Sequence, residues 1–169
     1  MPHPTTDGLA QLLGASFEHV AVAAPRLRDL VPIYVDLLGG RPLWASDNLA
    51  YGFRVVVIGY ANGTWHELME PLRGSTFFDK FFAKRPAGGL HHITFLVDDI
   101  AAAHRICEER GFTVVGRSDE SEEWKEFFLD LRETHGTLIQ IGQSSLQLNH
   151  TWSIEQILKG EHGNGEPSP

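Results

Sequence analysis

Short runs of alternating apolar and polar residues, separated by turn residues, fill most of the chain from residue 16 to residue 143. Such alternation predicts β-strands with one buried face. The predicted strands are Phe17–Ala23, Arg41–Ala45, Gly52–Tyr60, Trp65–Met69, Leu90–Val97, Thr113–Gly116, Trp124–Leu131 and Gly136–Ile141. Asn62-Gly63 predicts a tight hairpin between the third and fourth of these, and the polar triplet Ser46-Asp47-Asn48 predicts a loop.

Two longer segments carry apolar residues at helical spacing. They run from Pro25 to Leu38, ended by Gly39-Gly40, and from Ile100 to Arg110. Each segment follows one predicted strand and precedes three others, so the order βαβββ occurs twice. After Gln143 the pattern changes, and Ser153 predicts the cap of a short C-terminal helix.

A single shift of 73 residues superimposes the two halves. It places His19 on His92, and it also places the segment around Gly63 on the segment around Gly136. Two independent segments that agree on one shift indicate an internal repeat. The predicted segments, in chain order, are an N-terminal tail (1–15), module one (16–71), a linker (72–88), module two (89–143), and a C-terminal helix with a disordered tail from Gly160 (144–169).

Composition and charge exclude several classes of protein. The 169 residues are 42% hydrophobic with a net charge of −8, which predicts a folded globule and argues against a nucleic-acid partner. No signal peptide or membrane span is predicted, so we expect a cytoplasmic protein with no membrane partner. The single cysteine, Cys107, excludes an internal disulfide and is predicted to be a small buried side chain.

The repeat places polar residues at matching positions of the two modules. His19 matches His92, and Glu67 matches Gln140. One His in a strand is more commonly structural, but two His residues at matched positions favour metal binding. With a carboxylate and an amide oxygen, they suit one divalent ion (Zn, Co, Ni, Mn or Fe) with positions left for water or substrate. Gln140 could instead be a buried amide that only forms a hydrogen bond to a neighbouring residue.

These residues resemble the vicinal oxygen chelate superfamily, which includes glyoxalase I, extradiol dioxygenases and bleomycin-binding proteins. The strand Gly88-Gly89-Leu90-His91-His92-Ile93 and the segment Glu67-Leu68-Met69-Glu70-Pro71 are most similar to the methylmalonyl-CoA epimerase branch. The resemblance implies an α+β fold in which two paired βαβββ modules form a half-barrel-like mixed sheet around a metal cleft. It also implies a homodimer, and it assigns the metal to His19, Glu67, His92 and Gln140, with His91 pointing away.

The sequence departs from that branch at two acidic positions. Gln140 stands where the epimerase and glyoxalase I usually have Glu, and an amide cannot act as a general base. No acid occurs in Leu49–Gly52, before the third strand, although Asp47 is near. We therefore assign the base to Glu67, the one acid among the four candidate ligands.

We expect an epimerase or isomerase that acts on a small carbonyl or acyl-CoA substrate through a metal-chelated enolate. Three alternatives stay open: a glyoxalase-type lyase, an Fe(II) extradiol-type dioxygenase that uses two His and one carboxylate, and a non-enzymic ligand-sequestering protein.

Overall fold

The computed structural model of the protein describes residues 7–119, 121–150 and 152–162. In chain order its elements are α1 (Leu9–Leu13), β1 (Ser16–Ala23), a 3-10 turn (Leu27–Asp29), a π-helical segment (Pro32–Leu37), β2 (Arg41–Asn48), β3 (Phe53–Gly59), β4 (Trp65–Pro71), α2 (Asp79–Phe82), β5 (Gly89–Leu96), α3 (Ile100–Glu109), β6 (Val114–Ser118), β7 (Trp124–Leu129), β8 (Ile139–Ser144) and α4 (Ile154–Lys159). The predicted α+β fold of two paired βαβββ modules is confirmed.

The chain divides into two compact units. The first-module unit is His19–His91 with Gln147–Pro169, and the second-module unit is Met1–Glu18 with His92–Leu146. Strands β1 and β5 each contribute residues to both units. In the second-module unit the ring of Phe17 packs edge-on against that of Phe95, with 5.8 Å between centroids.

In the first-module unit the strand order is β2-β3-β4-β1, with β1 parallel to β4 and the other pairs antiparallel. One sheet face supports a buried core built mainly from Val22, Leu27, Val56, Ile58, Leu68 and Ile157 of α4. The opposite face carries Ala21, Ala23, Val55 and Met69, which pack against Phe78 of the linker. Phe78 is 1% exposed, so this linker residue belongs to the core of the first-module unit.

In the second-module unit the order is β5-β8-β7-β6, with β5 parallel to β8. One face of this sheet and α3 enclose a core of Val97, Ile100, Ala103, Cys107, Phe127, Leu129 and Ile141. Cys107 is buried there, as predicted. Because strand residues alternate between faces, the other face of β5, β8 and β7 carries the polar residues that concern function.

The helix predicted over Pro25–Leu38 is instead a 3-10 turn followed by a π-helical segment. Pro32 lies inside the predicted helix and has no N–H to donate to the preceding turn. The backbone then widens, and Leu38 N–H donates to the carbonyl of Ile33, five residues earlier, at 3.0 Å. Gly39 ends the segment with φ of 72°.

The loop predicted at Ser46-Asp47-Asn48 is wrong, because β2 continues to Asn48. Asp47 lies opposite Arg54 of β3 and accepts hydrogen bonds from its guanidinium at 2.7 and 2.9 Å. A carboxylate paired across two strands no longer favours a turn, since its charge is satisfied within the sheet.

The described parts of the two terminal segments pack against the units. Within the predicted N-terminal tail, Leu9 and Leu13 of α1 pack against the second-module core. Ser153 caps α4 by accepting from the Gln156 N–H, as predicted. Disorder was expected from Gly160 onward, but Gly160 ends α4 and His162 is buried, with Nε2 3.1 Å from Asp47 Oδ1. Residues 163–169 lie outside the described residues.

Candidate metal centre

The first half of the candidate site lies on two parallel strands of the first-module unit. Ala21 of β1 is in register with Glu67 of β4. His19 precedes Ala21 by two residues, so alternation puts its side chain on the same face as Glu67. His19 Nε2 lies 3.7 Å from Glu67 Oε2. The two candidate ligands of module one are therefore in close polar contact.

The ring of Trp65 holds His19 in place. The two rings are stacked, with 4.2 Å between centroids and 24° between planes. Trp65 precedes Glu67 by two residues and so lies on the same face of β4. His19 is fully buried, and this packing fixes the plane of its imidazole. Alternation along β4 places Trp65 on the face of Glu67, but it does not identify His19 as the stacking partner.

The second half repeats this register in the second-module unit. Thr94 of β5 pairs with Gln140 of β8. This pair corresponds to Ala21 and Glu67 of module one, because each of its residues lies 73 positions later in the chain. His92 precedes Thr94 by two residues and is 3% exposed. Its ring packs edge-on against Phe128 of β7, with centroids 5.7 Å apart. The repeat found in the sequence is thus a repeat of strand register.

Gln140 is hydrogen-bonded at both ends of its amide. Thr94 Oγ1 donates to Oε1 at 2.6 Å, and Nε2 donates to Glu126 Oε2 at 2.6 Å. The hydrogen-bonded alternative considered for Gln140 therefore holds. It does not conflict with a ligand role, because an amide oxygen has two lone pairs. Thr94 and Glu126 were not among the residues singled out in the sequence.

Ligand atoms of His19, Glu67 and His92 all lie within 4.8 Å of one another. Two imidazole nitrogens and one carboxylate oxygen at this spacing are donors of the kind that a divalent first-row ion binds. Both histidines are buried, whereas the Glu67 side chain is 15% exposed. The donor set therefore fits a divalent ion and fits the predicted ligand types.

The neighbouring histidines belong to other surroundings. His91 lies between Phe78 and Phe81, and burial, with the nearby charge of Arg85, lowers its pKa to about 4. His66 packs between Tyr34 and Tyr60, and burial lowers its pKa as well, with a smaller contribution from His19. Both are neutral packing residues at neutral pH, as expected from their positions on the opposite faces of β5 and β4.

Asp47, the acid considered as a substitute near the third strand, is engaged elsewhere. Burial opposes its ionisation, but the hydrogen bonds and positive charge of Arg54, and His162 beside them, lower its pKa overall. Arg54 also donates to Glu70 at 3.3 Å and to the Ile157 carbonyl at 3.1 Å. Asp47 therefore joins α4 to the sheet and is not a candidate base.

The fold and the donor set define a class of protein, and sequence comparison identifies it. Residues 18–128 match the Glyoxalase/Bleomycin resistance protein/Dioxygenase superfamily. The chain belongs to this superfamily, and the resemblance noted from its sequence is confirmed. Among the residues that the structure describes, no helix is long and apolar enough to cross a membrane.

The curated relatives are enzymes of one kind. The chain is 33% identical over 128 residues to the ethylmalonyl-CoA/methylmalonyl-CoA epimerase of Cereibacter sphaeroides, an alignment that covers 74% of this chain and 95% of the relative. It is 31% identical over 130 residues to the mitochondrial methylmalonyl-CoA epimerase of Mus musculus, with 75% and 71% covered. The expectation of an enzyme of the epimerase type is confirmed by these relatives.

A solved structure gives the same fold. The methylmalonyl-CoA epimerase of Mycobacterium tuberculosis superimposes with a TM-score of 0.71 at 22% identity, over 85% of this chain and 95% of that chain. At this identity the likeness supports the fold alone. It agrees with the two-module architecture described above.

Proposed function

We propose that the protein is a divalent-metal-dependent epimerase of malonyl-type CoA thioesters, such as methylmalonyl-CoA or ethylmalonyl-CoA, and that His19, Glu67, His92 and Gln140 hold the ion. The observation that carries this proposal is the close grouping of three of these ligands. It is supported by the ethylmalonyl-CoA/methylmalonyl-CoA epimerase of Cereibacter sphaeroides, which the alignment covers over 95% of its length.

The reaction inverts the configuration at one carbon atom. In a malonyl-type thioester the carbon between the carboxylate and the thioester carbonyl carries one hydrogen, which leaves as a proton and is replaced on the opposite face. When bound, a divalent ion stabilises the negative charge that develops on the carbonyl oxygen as the proton leaves. The protein must then hold the substrate in place, supply a proton acceptor on one face and admit a proton donor, here solvent water, on the opposite face.

Glu67 is our candidate for the proton acceptor. It is the one carboxylate of the grouped ligands, and part of its side chain is exposed. Gln140, at the matching place in module two, cannot take this role because its amide does not titrate near neutral pH. The two histidines, buried and packed against Trp65 and Phe128, serve as ligands whose rings are held in fixed orientations.

The ligand set also restricts the ion. Two nitrogen and two oxygen donors favour ions of borderline hardness, so we propose Zn, Co, Ni, Mn or Fe over Ca or Mg. The polar contacts that hold Gln140 leave its carbonyl oxygen able to bind such an ion through its second lone pair.

Proton exchange tests this function directly. The chain is loaded with each ion in turn, mixed with methylmalonyl-CoA in D2O, and the hydrogen on the inverted carbon is followed by NMR. We expect metal-dependent replacement of that hydrogen by deuterium, lost in His92→Ala. Exchange no faster than in a protein-free control with every ion would contradict the proposal.

A second function has one observation in its favour. Two histidines and one carboxylate within 4.8 Å also match the ligand set of non-haem Fe(II) oxygenases. Oxygen uptake by the Fe(II)-loaded chain with a catechol, without deuterium exchange in the thioester, would favour this dioxygenase alternative.

We further propose that the protein is a homodimer in the cytoplasm. The dimer is supported by the resemblance to the superfamily, and the cytoplasm by the net charge of −8, which fits a cytosolic protein. Light scattering on the purified chain would test the first, and cell fractionation the second.

A further inference from the structure

Glu126 of β7 shares the polar sheet face with the second-module ligands. Phe128, two residues further along β7, pairs directly with Gln140 of β8, and Glu126 pairs with Gly142. Glu126 is thus the diagonal neighbour of Gln140 on the same face, a distance that long side chains bridge. Its side chain is half-buried.

The contacts of Glu126 determine how the Gln140 amide is oriented. A carboxylate only accepts hydrogen bonds, so the amide group that faces Glu126 must be the donor, Nε2. One oxygen of Glu126 accepts from Gln140 Nε2 and from Trp124 Nε1, each at 2.6 Å. At the other end, the Thr94 hydroxyl donates to Gln140 Oε1 at 2.6 Å.

We propose that Glu126 is a positioning residue that fixes the Gln140 amide with its nitrogen toward β7 and its carbonyl oxygen toward β5, the strand that carries His92. This inference rests on the proposed function, in which that oxygen is a metal ligand. Trp124 holds the carboxylate in turn, since its indole N–H can only donate.

The physical consequence concerns the ion. An Asn or Gln amide has an acceptor end and a donor end of nearly equal size, and only the acceptor end binds a cation. Without Glu126, the Gln140 side chain can rotate and present its NH2 group, which repels a positive ion. Residues that orient metal ligands through a hydrogen bond typically change metal affinity by about 10–100-fold when removed.

The experiment measures apparent affinity for Zn²⁺ or Co²⁺ by competition with a chelator. The chains are wild type, Glu126→Ala, Glu126→Gln, Gln140→Ala and the double variant Glu126→Ala/Gln140→Ala. Glu133→Ala is the matched control, because Glu133 is a carboxylate of the same unit that accepts hydrogen bonds from Thr113 N and Oγ1 at 2.7 and 2.8 Å. Thermal unfolding of each apo chain reports whether it is folded.

We expect Glu126→Ala to lower the metal affinity by about 10–100-fold. Glu126→Gln should stay close to wild type, because the new amide oxygen can accept from the same two donors. In the Gln140→Ala background, loss of Glu126 should have no further effect, and Glu133→Ala should bind the ion normally.

Two outcomes would overturn the inference alone: wild-type affinity in folded Glu126→Ala, or an equal loss on removing Glu126 with and without Gln140. The second outcome would mean that Glu126 acts independently of the amide. A wild-type chain that binds no divalent ion would instead contradict the proposed function, and the two failures are therefore distinguishable.

Discussion

The Nε2 atom of His19 lies 3.7 Å from Oε2 of Glu67, on two parallel strands whose register is repeated 73 residues later by Thr94 and Gln140. The repeat is not symmetrical in chemistry. Module one contributes a carboxylate that can accept a proton, whereas module two contributes an amide held between Thr94 and Glu126. We therefore expect proton transfer to depend on module one.

Glu67→Gln tests this asymmetry. The amide keeps an oxygen donor of similar size, so we expect the metal to be retained. Proton exchange should fall by about 10²–10⁴-fold, the usual contribution of a general base. Deuterium exchange by NMR and elemental analysis of the same sample give both readouts.

Glu70→Gln is the control for that substitution. It alters a carboxylate three residues along β4, which accepts from Leu27 N–H and Arg54. This variant should exchange normally. Full exchange in Glu67→Gln would remove Glu67 from the role of base and leave it a ligand.

Arg54 joins β2, β4 and α4, and its loss should destabilise the first-module unit. The guanidinium is 11% exposed and contacts Asp47, Glu70 and the Ile157 carbonyl. Arg54→Leu removes the shared cationic partner of the two carboxylates, which keep their contacts with His162 and Leu27 N–H. We expect a loss of about 2 kcal/mol in the free energy of unfolding, between the values typical of exposed and of buried ion pairs, because solvent reaches both carboxylates.

Urea unfolding measures this cost, and Arg26→Ala is the control. Arg26 pairs with Asp29 at the surface, with its side chain 69% exposed, so its removal should cost less than about 1 kcal/mol. Hydrogen exchange should also rise in Ile154–Lys159 of Arg54→Leu. Equal stability of the two variants would contradict the anchoring role of Arg54.

The stability of the protein should fall in acid partly through Asp47. Its folded pKa lies below its usual value of 3.8, despite burial, because of Arg54 and His162. The unfolded chain then binds more protons, so this stabilisation is present above about pH 4 and is lost as the pH falls through the folded pKa. Asp47→Asn has no such proton to gain. Unfolding free energies from pH 7 to pH 3 should fall less steeply in the variant, and identical slopes would contradict the assignment.

Gly88, just before β5, should not tolerate a side chain. Its φ is 85°, and a Cβ there would lie 2.2 Å from the Ala23 carbonyl oxygen of β1. Gly63 has a similar φ of 83° with no atom within 4 Å of its Cβ position. Gly63→Ala should cost about 1–2 kcal/mol for the backbone alone, and Gly88→Ala about 1–3 kcal/mol more for the overlap. Chemical denaturation compares the free energies of unfolding of the two variants. Equal losses of stability would contradict the predicted overlap and show that the β1 backbone moves to accommodate the new Cβ.

Much of the fold follows from local pattern and from the repeat. The shift of 73 residues found His19, Glu67, His92 and Gln140 because both copies keep the same strand register. The helix predicted at Pro25–Leu38 is wrong, because apolar spacing does not register the missing N–H of Pro32. The π-helical turn that follows depends on hydrogen bonds that apolar spacing does not reveal.

The residues that the sequence did not reveal depend on long-range contacts. Asp47 lies in a polar triplet that is typical of a turn. Its place in β2 depends instead on contacts with Arg54 and with His162, and His162 is 115 residues away in the chain. Glu126 has no counterpart in the repeat, since position 53 is Phe. Alternation along β7 could have placed Glu126 on the face of Phe128, but only the pairing of β7 with β8 brings it to Gln140.

The most direct test of the central claim is the metal content of the freshly purified chain, of His92→Ala and of His91→Phe. His91 adjoins His92 but packs between Phe78 and Phe81, where a Phe ring can replace it. We expect close to one Zn, Co, Ni, Mn or Fe per chain in the wild type and in His91→Phe, and loss of the metal in His92→Ala. No bound ion in any of the three, even after reconstitution, would contradict a metal-dependent epimerase and favour a ligand-binding protein of the same superfamily.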